Sequence, residues 1–434
     1  MKTSLTAYID NLSHEGRGVA HIEGKTTFIK GALPGEEVRF QYVRRKGSFD
    51  EGVLERVLES SPDRTTPPCP YFGVCGGCQH QHMSREAQLR HKEKVVLELL
   101  KYQGSIELSQ LSPALIGPEW GYRRKARLSA KWVGGNKNKV LVGFREQNPR
   151  FIIDLDICLV LHPLVGQRLS LFSELFSRFE NKTAIPQMEI AVAENAAAII
   201  IRHLKPFRPE ELEQLKQFAK THSFQMYLQP NNADSIHPLW PIAPEPLYYT
   251  LPDFKLRFEF KPTQFTQINW DINRSMLTQA LAWLDVQPNE SVLDLFCGIG
   301  NISLPLARQA LQVVGIEGEA DAVLQAQHNA QLNQITHAEF YVANLFESVE
   351  RYEWAKRSYD TVVLDPPRAG AKEIIPYFSR WKPKKVLYIS CNPATFVRDA
   401  ALLKEQGYTL TQAGIMDMFP HTHHIEVMGF FERC

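Results

Sequence analysis

Residues 291–301 read SVLDLFCGIGN. Val292, Leu293 and Leu295 form a short apolar run around Asp294. Gly298 and Gly300 follow, and Ile302, Leu306 and Leu311 then recur at helical spacing. That order predicts a buried strand, a glycine turn and a helix. Glycines let the backbone approach a nucleotide closely, and a helix start adds free N–H donors. Such a unit suits several nucleotide-bearing cofactors, so the strands around it decide the reading.

From residue 268 onward strands and helices alternate. Helix 270–284 leads into strand 291–296. Strand 312–317 ends in Glu317 and is followed by helix 320–332. Strand 338–343 precedes Asn344, strand 360–364 runs into Asp365-Pro366-Pro367-Arg368, and strand 385–389 into Ser390-Cys391-Asn392. Residues 408–413 and 424–431 close as an antiparallel pair. This is an α/β pattern, a doubly wound Rossmann-like sheet whose ligands sit at the carboxyl ends of the strands. Glu317, about twenty residues after the glycine turn, suits a carboxylate bonding ribose hydroxyls. That fits a nicotinamide cofactor as well as S-adenosylmethionine. The loop is CGIGN rather than G-x-G-x-x-G, and the sheet closes with a strand pair, so S-adenosylmethionine is the better match.

The chain has 434 residues, 44% hydrophobic and 22% charged, with a net charge of +1. It is long enough for several domains and has the balance of a soluble globular protein, and its seven cysteines, three of them clustered, suit metal or redox chemistry in a reducing cytoplasm rather than a disulfide framework. Apolar runs fall far short of the ~18 residues that cross a bilayer, so no membrane is expected, and the start is no signal peptide. Three units are expected: a small β-barrel over 1–60, a central α+β domain over 61–260, and the doubly wound domain over 261–434. Residues 1–59 alternate about five short strands with glycine-rich turns, a size at which small barrels offer a face to oligonucleotides. Residues 121–150 carry nine Lys/Arg against one acid, Glu146. Tyr122, Trp132 and Phe144 are interleaved, an RNA-contact pattern with stacking groups. The bland alternative is a solvated basic strand pair.

A proline-rich linker, SSPDRTTPPCP, runs into Cys69, Cys75 and Cys78. By spacing alone, zinc with His80 or His82 and an iron–sulfur cluster with Cys158 as fourth ligand are equally good. Residues 84–101 form an amphipathic helix with Leu89, Val96 and Leu100 on one face, and helices are also expected near 163–179 and 208–221.

Residues 365–370 (DPPRAG), 387–395 (LYISCNPAT) and 416–426 (MDMFPHTHHIE), with LDLFCGIGNISLPLA and FTQIN, resemble the signatures of the RNA uracil-5 methyltransferase family. HEGRGVA…FIKGALPGEEV resembles the RNA-binding TRAM domain. Barrel and cysteine cluster together are similar to the branch acting on 23S ribosomal RNA at uracil 1939. Another 23S site, or a tRNA, is the alternative. The resemblance implies Cys391 as nucleophile and Glu426 as base. It implies Gln267, Phe296, Asn301, Glu317, Asn344 and Asp365 as S-adenosylmethionine ligands, and a [4Fe–4S] cluster on Cys69, Cys75, Cys78 and Cys158. It also implies that part of 81–112 packs on the catalytic domain and that the enzyme acts as a monomer. C5 of uracil is a weak nucleophile; a thiolate added at C6 makes it a strong one, and a base must later remove the C5 proton. RNA cytosine-5 methyltransferases resemble this scheme but carry a further Cys after the Pro of the DPP motif. Amino-group methyltransferases place an aromatic residue where Arg368 stands.

Overall fold

The computed structural model describes residues 4–108 and 111–433. Residues 1–3 of the expected barrel, 109–110 of the segment 81–112, and Cys434 lie outside them. The first unit is a six-stranded sheet of β1 (Ser4–Tyr8), β2 (Asn11–Leu12), β3 (Gly18–Ile22), β4 (Lys25–Lys30), β5 (Glu37–Arg45) and β6 (Asp50–Glu59). Its order is β1-β5-β6-β4-β3-β2, and only β4 and β6 run parallel. Alternate residues such as Val38 and Phe40 point into a core shared with Ile9, Ile29 and Ala32, as the period of two requires. One strand more than expected is present because β2 is two residues long, too short to show alternation.

Helix Arg85–Tyr102 starts at Ser84, whose side chain accepts from the Ala87 amide at 3.3 Å. Its Val95, Val96, Leu99 and Leu100 are buried in the core of the eight-stranded sheet formed mostly by the C-terminal half of the chain. β7 (Ser112–Leu115) pairs parallel to the edge of that sheet. A second six-stranded sheet combines β8 (Lys125–Val133), β9 (Lys139–Gly143), β10 (Gln187–Val192), β11 (Ala197–Arg202), β12 (Phe224–Gln229) and β13 (His237–Trp240). Helices Leu169–Ser177 and Pro209–His222 belong with it, burying Phe172, Phe176, Leu215 and Ala219 in its core. The helix expected over 163–179 is two helices, 163–166 and 169–177. The break follows Gly166, where a Cβ would stand 2.5 Å from the Cys158 carbonyl. The hairpin β14 (Leu247–Leu251) and β15 (Leu256–Phe260) shares one core with Ala191 and Tyr227 of the second sheet and with helix Trp270–Leu284, so it bridges the two larger units.

The eight-stranded sheet holds β16 (Ser291–Leu295), β17 (Gln312–Glu317), β18 (Ala338–Val342), β19 (Thr361–Leu364), β20 (Lys385–Ser390), β21 (Tyr408–Met416) and β22 (Glu426–Arg433), in the order β18-β17-β16-β19-β20-β22-β21-β7. The first five are parallel, and β22 is antiparallel to both β20 and β21. The order reverses between β16 and β19, which opens a crevice at their carboxyl ends.

Candidate active site

The crevice begins where β16 ends. Phe296 has φ +65°, unusual for a bulky residue, and Gly298 and Gly300 have φ +55° and +89°. Strain of this kind persists only where the surroundings hold it and gathers at functional sites. The amides of Phe296 and Cys297 both donate to the Ile316 carbonyl, at 2.9 and 3.0 Å. A Cβ on Gly298 would meet no heavy atom within 4 Å, so its surroundings are open. Glu317 is gripped by backbone amides: Gly298 donates at 3.1 Å, Gly318 at 2.6 Å and Glu319 at 3.2 Å. Asn344 is exposed and accepts from the Phe346 amide at 3.1 Å, and Phe346 lies 5.8 Å from the Phe296 ring. Gln267 is half-buried on the loop before helix 270–284.

Asn301 stands apart from the other expected ligands. Its amide exchanges hydrogen bonds with Asn273 (2.8 and 3.0 Å) and accepts from the Tyr249 hydroxyl at 2.9 Å. Its side chain ties the glycine turn to helix 270–284 and the hairpin.

Burial, reinforced by Glu317, pushes the Asp365 carboxyl up to about 7. Asp294 is likewise raised to about 7 by burial, with Asp365 and Glu317 adding to it, and it accepts a hydrogen bond from Ser303. Its other oxygen, Oδ1, is buried without a partner. In the sequence Asp294 stands inside an apolar run with nothing to mark a role; a carboxylate among buried strand residues is itself the signal.

Ser390 pairs with Val427 across β20 and β22. Continuing that antiparallel register sets Cys391 opposite Glu426. The nucleophile candidate thus occupies the joint between β20 and helix Pro393–Glu405, which Asn392 caps through the Ala394 amide at 3.2 Å. Burial raises the Cys391 thiol, Glu426 and Asp365 raise it further, and Arg368 draws it down. The free site therefore holds less thiolate than an ordinary cysteine would. Glu426 is buried, and burial with Asp365 nearby pushes it up to about 8, while Arg368 and Lys92 oppose the shift.

Cys391 opens into a cavity of about 310 Å³ whose walls include Arg368, His423, His424 and, from the barrel, His14 and Glu15. The two barrel residues had no signal in the sequence: only the docking of the barrel brings them there. The first unit meets helix 85–102 through Leu33, which is buried with Met83 and Ala87, while Arg64 of the linker grips fully buried Glu36 through Nη2 at 2.8 Å and the Gly31 carbonyl at 2.7 Å.

Cys69, Cys75, Cys78 and Cys158 line one largely apolar cavity with Tyr71, Phe72 and Phe144, and none forms a disulfide. Burial pushes Cys78 up to about 12 and Cys158 to about 11. Among the described residues no three His, Cys, Asp or Glu side chains are gathered as a single-ion site. His80 and His82, the alternative ligands, are buried but do not line this cavity; His82 packs behind Phe72 with ring centroids 5.5 Å apart.

The basic stretch is divided. Arg127, Lys131, Lys137, Arg145 and Arg150 are exposed. Arg124 stacks over Trp270 at 4.0 Å, and burial lowers Lys125 to about 8. The aromatics expected as stacking groups are already engaged, which corrects that expectation. Tyr122 is buried with its hydroxyl 3.3 Å from the Pro420 carbonyl, Phe144 lines the cysteine cavity, and Lys182 sits 4.1 Å over Trp132.

A parallel sheet with its order reversed at the glycine turn, closed by an antiparallel strand and carrying acidic residues at the strand ends, defines a Rossmann-like methyltransferase. The family model for tRNA (Uracil-5-)-methyltransferase matches residues 248–434, and that of the TRAM domain matches 3–41. The 23S rRNA (uracil(1939)-C(5))-methyltransferase RlmD of Hahella chejuensis is 45% identical over 99% of this chain and 98% of its own. The one from Methylococcus capsulatus is 43% identical over 99% and 97%. The Pyrococcus abyssi tRNA (uracil-54, C5)-methyltransferase, solved with S-adenosyl-L-homocysteine, shares the fold with a TM-score of 0.76 at 24% identity, covering 98% of this chain and 99% of that one. The chain belongs to the RNA uracil-5 methyltransferase family, in the branch of the 23S rRNA (uracil(1939)-C(5))-methyltransferases. No described helix is long and apolar enough to cross a membrane.

Proposed function

We propose that this chain methylates C5 of a uracil in 23S ribosomal RNA, at position 1939, with S-adenosylmethionine as methyl donor. The carrying observation is full-length identity of 43–45% to relatives of that name, and Cys391 opposite Glu426 supplies the chemistry. S-adenosylmethionine supplies an electrophilic methyl on a sulfonium. Gln267, Phe296, Glu317, Asn344 and Asp365 are the residues to hold it, with Asn301 shaping the turn beneath. Carboxylates crowded at the strand ends favour a cationic ligand.

Cys391 adds to C6 of the flipped base, and the ring's electron density moves to C5, which then takes the methyl. Glu426 removes the C5 proton, the C5–C6 double bond reforms, and the Cys391 thiolate leaves. A base embedded in an RNA stack must be extruded to reach such a pocket. One chain supplies every residue of the site, which fits a monomer working in the cytoplasm, where its substrate is made.

The four cysteines suit an iron–sulfur cluster: four free thiols face one apolar cavity, and a cluster spreads its ligands wider than a single ion does. When bound, the cluster would supply positive charge to buried thiolates. The barrel and the exposed basic residues of 121–150 would grip RNA phosphates.

The test separates the two catalytic roles. With labelled cofactor and 23S transcripts, Cys391→Ala should give neither methyl transfer nor a covalent complex. Glu426→Gln should stall after methyl transfer and accumulate a protein–RNA adduct that carries the label and survives denaturing electrophoresis. Turnover by Cys391→Ala would overturn the reading.

A further inference from the structure

The turn leading into Glu426 is held almost entirely by residues from another part of the chain. His421, at its centre, has φ +64°, a strained state for a side chain of its size that lasts only when its surroundings enforce it. Its carbonyl accepts two amides at once, from Gln79 at 2.8 Å and His80 at 2.9 Å, the residues directly after Cys78. Its own amide donates to Gln88 Oε1 at 2.9 Å, on helix Arg85–Tyr102. Its ring stacks on Trp120 with centroids 4.0 Å apart and planes 21° from parallel. One turn along the same helix, Lys92, itself only 1% exposed, donates to Asp417 at 2.9 Å and to the Phe419 carbonyl at 3.2 Å. A buried lysine is costly unless it is fully paired, so this arrangement is built around residues 417–421. A plain core contact would need neither the strained backbone nor two amides converging on one carbonyl.

We propose that His421 is a positioning residue for Glu426: the cysteine loop and helix 85–102 hold its turn, and the turn aims the carboxylate at the C5 proton. This rests on the reading of Glu426 as the base. The ladder of β22 fixes the backbone of Glu426, and the turn before it fixes the approach of its side chain. Released, the turn would let Glu426 drift while Cys391 and the cofactor crevice stay where they are. Addition and methyl transfer would continue, and proton removal would lag.

The experiment compares His421→Val, which tolerates positive φ badly, His421→Asn, which tolerates it well, and Gln88→Leu, which loosens the turn from the helix side. Glu426→Gln serves as the reference. Expected for His421→Val and Gln88→Leu is a fall in turnover of ~10- to 100-fold, the scale of a displaced catalytic group. RNA and S-adenosylmethionine affinities should be unchanged, and labelled covalent adduct should build up. His421→Asn should recover most of the turnover. If His421→Val does not fold, Gln88→Leu carries the same expectation. Normal turnover in Gln88→Leu, or loss of turnover without adduct while Glu426→Gln accumulates it, would overturn the positioning role alone. If Glu426→Gln itself accumulated no adduct, the base assignment would fall, and this inference with it.

Discussion

Glu426 is asked to be a base in a place that disfavours its charged form. Burial raises its pKa from 4.5 to about 8, so between those values the folded chain holds a proton that the unfolded chain has released. The stability tied to this group is complete below about pH 4.5 and is lost as pH rises through about 8. Glu426→Gln stays neutral throughout. Its melting temperature should match wild type below about pH 4.5, exceed it by a margin that grows between about pH 4.5 and 8, and hold that margin above, which a pH series of thermal melts would read. Asp294 and Asp365, both raised to about 7, add a slope in the same direction to both chains. Turnover by wild type should run the opposite way and climb toward pH 8, because only the carboxylate can take the C5 proton. A flat melting difference would mean that Glu426 is charged in the fold at neutral pH.

At the scale of elements, helix 85–102 is the piece whose role exceeds its appearance. Leu100 is 1% exposed in the core of the catalytic sheet, although the chain places the helix long before that sheet. Leu100→Ala should cost about 3 kcal/mol, measured by urea unfolding followed through the catalytic domain's tryptophans. A cost under about 1 kcal/mol would mean the helix is only loosely docked. Most of the parallel strands were legible because strands such as β16, β17 and β19 are short apolar runs with a polar residue at or just after the end, Glu317 for β17 and Asp365 for β19. The facing of Cys391 and Glu426 was legible only through resemblance, since register between β20 and β22 depends on a long loop that periodicity does not measure. β7 escaped notice because Ser112–Leu115 is four residues long and contains a proline. Lys92 left a usable trace: it lies four residues after buried Gln88 and four before Val96, on the stripe the helix buries. His14 and Glu15 left none, since no local pattern reports which distant surface a barrel turn will meet.

For the whole molecule, the barrel closes one wall of the nucleophile's cavity as well as offering a surface to RNA. A chain beginning at residue 60 should bind 23S transcripts more weakly and with a shallower dependence on salt, because fewer phosphate contacts remain. Its S-adenosylmethionine affinity should be intact, as the crevice lies beyond residue 260; titrations of both ligands at several salt concentrations would decide. Unchanged RNA affinity would leave the barrel a structural wall alone. A different consequence follows from the position of β22, inserted between β20 and β21. A ribosome makes these residues after every other part of the site. Until they emerge, β20 and β21 present facing edges with nothing between them. The proton acceptor and the strand that completes the sheet are therefore one element, and a chain ending at residue 425 should lose its cooperative thermal melt along with its turnover.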